Sequence, residues 1–232
     1  MFVCGRNVCE DMLKNHQKIN NAILQDGFSD KMLISSLENA KIPIEYRSKK
    51  EMDHLDIGNH QGIILSIPEF QYDNMDILSK ESSEVILVLD HIEDPHNFGA
   101  IMRTCEAAGI NTIIIPQDRQ VPVNATVVKT SCGTAFSLHI IKVVNIASSI
   151  EQLKKEGYWI VGTALENSVD YREIDYSGKI ALVVGNEGNG MSDLVSKKCD
   201  FIAKIPMYGT TNSLNVSVAT GIMIYEIIRN RK

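Results

Sequence analysis

Short apolar runs alternate with amphipathic stretches in the second part of the chain. Apolar runs of strand length lie at 85–89, 112–115, 159–162 and 180–184. Helical spacing of apolar residues occupies 101–108, 146–155 and 213–228. Strands that are apolar throughout and alternate with helices are typical of a parallel sheet covered on both faces. The pattern therefore predicts a parallel-sheet α/β domain over residues 83–232.

The first 68 residues show the same two periodicities on a smaller scale. We expect helices at 8–13 and 30–40, the second capped by Ser29, and extended segments at 22–24, 42–44 and 62–67. The acidic stretch that follows breaks the apolar pattern. The predicted organisation is a small α/β domain at 1–68, a linker at 69–82 and the larger domain at 83–232.

Composition and charge exclude fewer classes of function than the hydrophobic pattern does. The 232 residues carry a formal charge of −6, which lowers the expectation of nucleic-acid binding without excluding it. Half of that excess lies in the linker, and local basic clusters remain at 47–50 and 229–232. No apolar run approaches the roughly 18 residues of a membrane span. Five cysteines without a Cys-x-x-Cys pair favour reduced thiols, so we expect a soluble cytoplasmic protein.

Unusual polar residues follow three of the predicted strands, at the sheet edge where ligands of α/β proteins bind. Asn97 and Arg103 follow the first run, and Glu187 lies within a glycine-rich turn. Asn215 begins an otherwise apolar helix, where a polar side chain needs a specific partner. A purely structural interpretation stays open, with Asn97 and Ser213 as helix caps and Arg103 solvated.

The same segments carry a family resemblance. DPHNFG at 94–99, together with Arg103, resembles motif 1 of the SpoU/TrmH RNA 2′-O-ribose methyltransferases. GNEGNGM at 185–191 is similar to motif 2, and IPM at 205–207 with SLNVSVA at 213–219 is similar to motif 3. CGRN at 4–7 and HQGI at 60–63 are similar to the L30e-like RNA-binding domain of this family. The motifs follow the family order, most like the enzymes that methylate a guanosine ribose in 23S ribosomal RNA.

The resemblance implies a fold, a cofactor and a set of site residues. The larger domain is expected to contain a deep trefoil knot and to bind S-adenosylmethionine. The implied cofactor contacts are Thr163, Ala164, Gly185, Ile205, Met207, Ser213 and Leu214. The implied catalytic residues are Asn97, Arg103, Glu187, Ser213 and Asn215. Because a guanidinium keeps its proton, Arg103 is better suited to clamp a phosphate or stabilise an alkoxide than to act as a base.

Partners follow from the resemblance as well. Ribosomal RNA is the expected substrate and transfer RNA the second candidate, with the protein acting as a homodimer and needing no membrane. His91 and His96 flank Asp94, but the family reaction needs no metal and we expect none. Two other classes stay open: a catalytically silent RNA-binding assembly factor, and a small-molecule enzyme on a nucleotide-binding sheet. The absence of a Gly-x-Gly-x-x-Gly fingerprint disfavours the last class.

Overall fold

A computed structural model of the protein describes residues 1–55, 57–79 and 83–231. Lys80, Glu81 and Ser82 of the predicted linker, and Lys232 of the predicted basic cluster, lie outside the described residues. Within the described residues, no helix is long and apolar enough to cross a membrane.

The N-terminal domain is built on a four-stranded mixed sheet with the strand order β1-β4-β2-β3. Its elements are β1 (Phe2–Cys4), α1 (Arg6–Lys14), β2 (Asn21–Gln25), α2 (Lys31–Asn39), β3 (Ile44–Arg47), α3 (Lys49–Asp53) and β4 (Ile63–Ser66). Strands β2 and β3 run parallel, whereas β4 runs antiparallel to both of its neighbours. Asp30, and not the predicted Ser29, caps α2 by accepting a hydrogen bond from the backbone N–H of Leu33.

The larger domain is built on a seven-stranded parallel sheet with the order β7-β6-β5-β10-β8-β11-β9. Its strands are β5 (Val85–Asp90), β6 (Thr112–Pro116), β7 (His139–Val143), β8 (Tyr158–Thr163), β9 (Val169–Asp170), β10 (Lys179–Gly185) and β11 (Phe201–Lys204). Its helices are α4 (Pro95–Ala107), α5 (Ala125–Thr130), α6 (Ile146–Lys155), α7 (Asp193–Ser196) and α8 (Val216–Arg229). The predicted parallel-sheet α/β architecture is confirmed.

Helices cover the central sheet on both faces. Helices α4, α5 and α8 pack on one face and α6 and α7 on the other, so the strands present buried side chains in both directions. The core on the α4 face continues without interruption into the N-terminal domain, where it includes Val8 and Met12 of α1. Both domains therefore share one hydrophobic core.

The segment between the two sheets is ordered where it is described. Asp73 pairs with β7 as one parallel bridge residue, and its carboxylate lies 3.0 Å from Nδ1 of His139. The Tyr72 hydroxyl accepts a hydrogen bond from the N–H of Val123 at 2.9 Å, and Phe70 packs its ring against Phe136. The predicted linker is thus attached to the larger domain along 70–73.

Arginines in the predicted basic clusters are paired with acids. Arg47 donates two hydrogen bonds to Glu45, and Arg229 donates two to Glu226. Arg231 reaches Glu84 at 2.6 Å. These pairs neutralise much of the positive charge that the sequence placed there.

Candidate functional site

The carboxyl ends of four neighbouring strands bring the three motifs to one edge of the sheet. In the strand register, Gly185 at the end of β10 lies opposite Asp90 at the end of β5. On the other side of β10, Val183 lies opposite Gly162 of β8, and Thr163 lies opposite Ala203 of β11. The loops that follow these strands therefore meet above the sheet, as the sequence predicted.

One chain of side-chain hydrogen bonds joins all three motifs. The Nδ2 of Asn97 donates to Oε1 of Glu187 at 2.8 Å, and the Oδ1 of Asn97 accepts from Nδ2 of Asn215 at 2.9 Å. Asn97 is 9 % exposed, so its amide is held between two partners with little access to water. The side chain of each residue thus fixes the orientation of the next.

Local helix capping places the two asparagines of this chain. Asp94 caps α4 by accepting from the N–H of His96, and Pro95 occupies the first helical position. Asn97 is therefore inside the first turn, and its predicted role as the cap was wrong because Asp94 takes that position. The cap of α8 is Asn215, whose Oδ1 accepts from the N–H groups of Ser217 and Val218. The predicted cap at Ser213 was wrong as well.

The glycine-rich turn is closed by its own backbone. Asn186 and Gly190 exchange two backbone hydrogen bonds, and Oδ1 of Asn186 accepts from the N–H of Gly188. A Cβ on Gly185 would lie 2.1 Å from the carbonyl carbon of Gly190 and the nitrogen of Met191. Glycine is required at 185 because the returning turn fills the space of a side chain.

Asp90 and His91 are site neighbours that sequence reasoning did not select. Asp90 is 1 % exposed, and its Oδ2 accepts from the N–H of Ser192 at 2.8 Å. His91 has φ +70°, its carbonyl accepts from Nδ2 of Asn186, and its Nδ1 lies 2.6 Å from Oδ1 of Asp90. Oδ1 of Asp90 is buried and accepts no hydrogen bond within the described residues. An aspartate that ends an otherwise apolar strand was the available signal.

Most of the predicted cofactor residues lie at the ends of β8, β10 and β11, and Leu214 lies just before α8. Gly185 is buried, whereas Ile205, Met207, Thr163 and Ala164 are half-buried. Leu214 is exposed. Thr163 donates through Oγ1 to the carbonyl of Val183 on β10. A separate cleft of about 270 Å³, lined by Asp90, His91 and Arg119, lies beside this group and contains none of its members.

Two predicted residues lie outside the hydrogen-bond chain. Arg103 is exposed on α4, six residues beyond Asn97, which places it about 120° around the helix from that side chain. Among the residues that the structure describes, Arg103 makes no hydrogen bond or ion pair. Ser213 is also exposed, and no hydrogen bond joins it to the described part of the chain.

No group of three or more histidine, cysteine, aspartate or glutamate side chains in the described ranges is arranged to hold a metal ion. All five cysteines lie in the described part of the chain and are free. Burial raises the pKa of the Cys9 and Cys199 thiols to about 12, so they stay protonated at neutral pH.

A parallel α/β sheet whose carboxyl edge carries a buried, hydrogen-bonded amide is typical of nucleotide- and cofactor-binding proteins. Comparison with known families narrows this class. Residues 84–225 match the SpoU rRNA methylase family, and residues 2–73 match the RNA 2′-O-ribose methyltransferase substrate-binding family. The chain belongs to the SpoU methylase family, and its cofactor is S-adenosylmethionine.

Individual relatives agree with this assignment. A protein of Staphylococcus aureus, by name a TrmH-family tRNA/rRNA methyltransferase, is 39 % identical over 99 % of this chain and 96 % of its own length. The S-adenosylmethionine-bound rRNA methyltransferase of Sinorhizobium meliloti is 28 % identical with a TM-score of 0.81, over 98 % of this chain and 86 % of that one. The TrmH/SpoU tRNA-modifying enzyme of A. aeolicus is 37 % identical with a TM-score of 0.60. The match covers 66 % of this chain and 77 % of that one.

Proposed function

We propose that this protein transfers a methyl group from S-adenosylmethionine to a ribose 2′-hydroxyl of 23S ribosomal RNA, at a guanosine, in the cytoplasm. The observation that carries the proposal is the Glu187–Asn97–Asn215 chain of hydrogen bonds. A purely structural turn and two helix caps do not need an amide buried between a carboxylate and a second amide. Such a prearranged polar chain is what positioning a hydroxyl for attack requires.

The carboxyl ends of β8, β10 and β11 fit the cofactor. They place the half-buried side chains of Ile205 and Met207 at the sheet edge that carries Gly185, and the exposed Leu214 follows in the same loop, just before α8. Apolar side chains of this kind suit an adenine ring, and backbone groups at the ends of strands suit its polar edge. When bound, S-adenosylmethionine supplies an electrophilic methyl group. The protein must then position the ribose and take up its proton.

Glu187 is the proton acceptor in this proposal. Its Oε1 is held by Asn97, and no hydrogen bond within the described residues engages its Oε2. The exposed carboxylate can therefore receive the hydroxyl proton at Oε2 while Asn97 keeps it oriented. Arg103 contributes a positive charge that clamps the target phosphate or stabilises the developing alkoxide.

A homodimer explains why Arg103 stands apart from the chain of hydrogen bonds. Arg103 is exposed on α4, and α8, which packs beside α4, leaves Val218 and Tyr225 exposed two turns apart on one face. Two exposed apolar side chains on a helix that packs against α4 fit an interface between two copies. In that arrangement Arg103 serves the site of the other subunit.

Variant mixing tests the dimer. Arg103→Ala and Asn215→Ala each remove one component of the site, and each variant alone is expected to be inactive. If Arg103 acts across the interface, refolding the two variants together restores activity, because one site of the mixed dimer is then intact. No recovery in a mixture that forms mixed dimers would place Arg103 and Asn215 in the same subunit's site.

The activity is tested by methyl transfer from labelled S-adenosylmethionine to unmodified ribosomal RNA and, separately, to transfer RNA, followed by mapping of 2′-O-methyl nucleotides. We expect label at one guanosine of 23S ribosomal RNA. Label in transfer RNA would favour the second candidate substrate, for which the tRNA-modifying relative is a precedent. Cofactor binding without label in either RNA would favour the silent assembly factor.

A further inference from the structure

Tyr208 is the most exposed of the large hydrophobic side chains in the described part of the chain, at 87 % of its surface. It lies in the loop between β11 and α8, directly after Met207 and shortly before Ser213. This loop carries the proposed cofactor contacts at one end and Asn215 at the other. An aromatic ring open to solvent at that point is available to whatever approaches the site.

The position of the Tyr208 ring is supported from the sheet edge. Its hydroxyl accepts a weak hydrogen bond from Nη2 of Arg172 at 3.4 Å. Arg172 is itself held by Asp170, through Nε to Oδ1 at 2.9 Å and through Nη2 to Oδ2 at 2.6 Å. Asp170 ends β9 and pairs with Lys204, the last residue of β11 before the loop. The Tyr208 ring is thus held only through its hydroxyl, and both faces of the ring are exposed to solvent.

The ion pair that holds Arg172 beside the Tyr208 hydroxyl persists across the neutral pH range. The hydrogen bonds from Arg172 lower the pKa of Asp170 to about 2. Because the folded-state pKa is depressed, the ion pair is present above that value and is lost only as the pH falls through it. The orientation of Tyr208 is therefore insensitive to pH across the neutral range.

At this end of β9 and β11, Arg172 is paired with Asp170, whereas Lys204 makes no ion pair within the described residues and keeps a free positive charge in a chain of net charge −6. An exposed aromatic ring beside cationic side chains is the combination that unpaired nucleotides recognise, through stacking of the base and attraction of the phosphate. Tyr208 lies in the loop before α8 and not on the exposed face of α8 that the proposed dimer would use.

We propose that Tyr208 stacks on an unpaired base of the RNA substrate, next to the nucleotide whose ribose is methylated, with Arg172 holding the ring in place. The inference rests on the proposed function, because it places RNA at the loop between Met207 and Asn215. It adds a substrate-binding residue outside the three motifs. Any base has a π face, so the contact selects an unpaired nucleotide over a paired one and not one base over another.

The test compares Tyr208→Ala, Tyr208→Leu and Tyr208→Phe. RNA affinity is measured with the unmodified ribosomal and transfer RNA transcripts in the presence of S-adenosylhomocysteine, and KM and kcat are measured by methyl transfer. Loss of one stacked base should raise Kd and KM of Tyr208→Ala roughly tenfold to a hundredfold, with little change in kcat. Tyr208→Phe keeps the aromatic face and loses only the weak 3.4 Å hydrogen bond from Arg172, so it should remain close to the wild type, and Tyr208→Leu should fall between Tyr208→Phe and Tyr208→Ala.

Trp159→Ala serves as the matched control. Trp159 is 54 % exposed at the start of β8, at the opposite end of the strands from the Tyr208 loop. Its replacement removes a comparable exposed aromatic surface and should leave Kd, KM and kcat unchanged.

Three outcomes would overturn the inference. These are an unchanged Kd and KM in Tyr208→Ala, a Tyr208→Phe variant as impaired as Tyr208→Ala, and a Tyr208→Ala variant that changes oligomeric state. A wild-type protein that binds RNA but transfers no methyl group would contradict the proposed function and still leave the Kd comparison to decide on Tyr208. A wild-type protein that binds neither RNA would overturn both.

Discussion

Arg103 makes no hydrogen bond or ion pair within the described residues. Its replacement should therefore test its role in methyl transfer without disturbing the fold. Arg103 is exposed and unpaired, so Arg103→Ala should leave the melting temperature and the cofactor affinity nearly unchanged. Methyl transfer should fall by a factor of about 10² to 10³ or more, the usual cost of removing one charge-stabilising group. Calorimetric titration with S-adenosylhomocysteine and a methyl-transfer assay measure the two effects. Retained activity would remove Arg103 from the site.

The buried amide of Asn97 predicts an unusual pH dependence. In Asn97→Asp, a second carboxylate would replace the amide that lies 2.8 Å from Glu187, and mutual repulsion raises the pKa of one of the two acids. The repulsion is then present above that raised pKa and relieved as the pH falls through it. We expect this variant to be inactive at neutral pH and to gain stability as the pH falls.

The control for that prediction is Asn97→Ala. It removes the same hydrogen bonds without adding a charge, so its stability relative to the wild type should not improve at low pH. Thermal melts of both variants over a range of pH, from neutral downwards, make the comparison. Identical pH profiles would show that a charge at position 97 does not affect the ionisation of Glu187.

A substitution at Gly185 tests how closely the glycine-rich turn packs against the end of β10. Gly185→Ala would place a Cβ 2.1 Å from backbone atoms of Gly190 and Met191, and backbone cannot move aside as a flexible side chain does. The free energy of unfolding should fall by about 3 kcal/mol or more. Gly188→Ala is the matched control, because its nearest neighbour is the Asn186 side chain at 3.4 Å. Equal stability of the two variants in urea denaturation would contradict the expectation.

At the scale of elements, Asn215 serves both a helix and the site. Its Oδ1 caps α8, and its Nδ2 holds Asn97. Asn215→Asp keeps the capping oxygen and loses the amide donor, so stability should be retained while activity falls. Asn215→Ala loses both, and should cost about 1 kcal/mol of stability in addition to the activity. Denaturation and methyl-transfer measurements on the pair would separate the two roles, and equal stability would show that the cap contributes nothing.

Sequence periodicity predicted the strands of the central sheet that are apolar almost throughout and missed those that are partly polar or very short. The apolar spacing at 146–155 predicted α6 with its observed bounds, and the four apolar runs all became strands of the central sheet. Strands β7 and β11 were not predicted, and β9 has two residues and no local signal. The start of α4 was misplaced because Asp94 followed by Pro95 makes a better helix start than Asn97.

The sequence predicted which residues form the candidate site, but not how these residues are arranged in space. Motif resemblance selected Asn97, Glu187 and Asn215, but their shared hydrogen bonds depend on the contact between β10, α4 and α8, which no local pattern encodes. The separate position of Arg103 follows from helical phase, which requires the observed start of α4. The trefoil knot stays a prediction.

At the scale of the whole molecule, the two domains are expected to unfold together. One hydrophobic core runs from α1 to the α4 face of the central sheet, and Gln17 donates to the carbonyl of Phe136 at 3.2 Å across the boundary. Lys129 likewise donates to the carbonyl of Asn59. Urea denaturation should therefore give one transition, coincident by circular dichroism and by fluorescence. Two separated transitions would show that the shared core does not couple the domains.

The edge strands of the central sheet also affect how copies of this protein can associate. An open strand edge recruits strands from other molecules and leads to aggregation. Here Asp73 pairs with part of β7 at one edge, and the other edge is the two-residue strand β9, which ends in the charged Asp170. Neither edge offers a long ladder of free backbone groups. Association of copies through the edges of the central sheet is therefore disfavoured, and this sheet is protected from the fibre-forming contacts to which a seven-stranded parallel sheet would otherwise be prone.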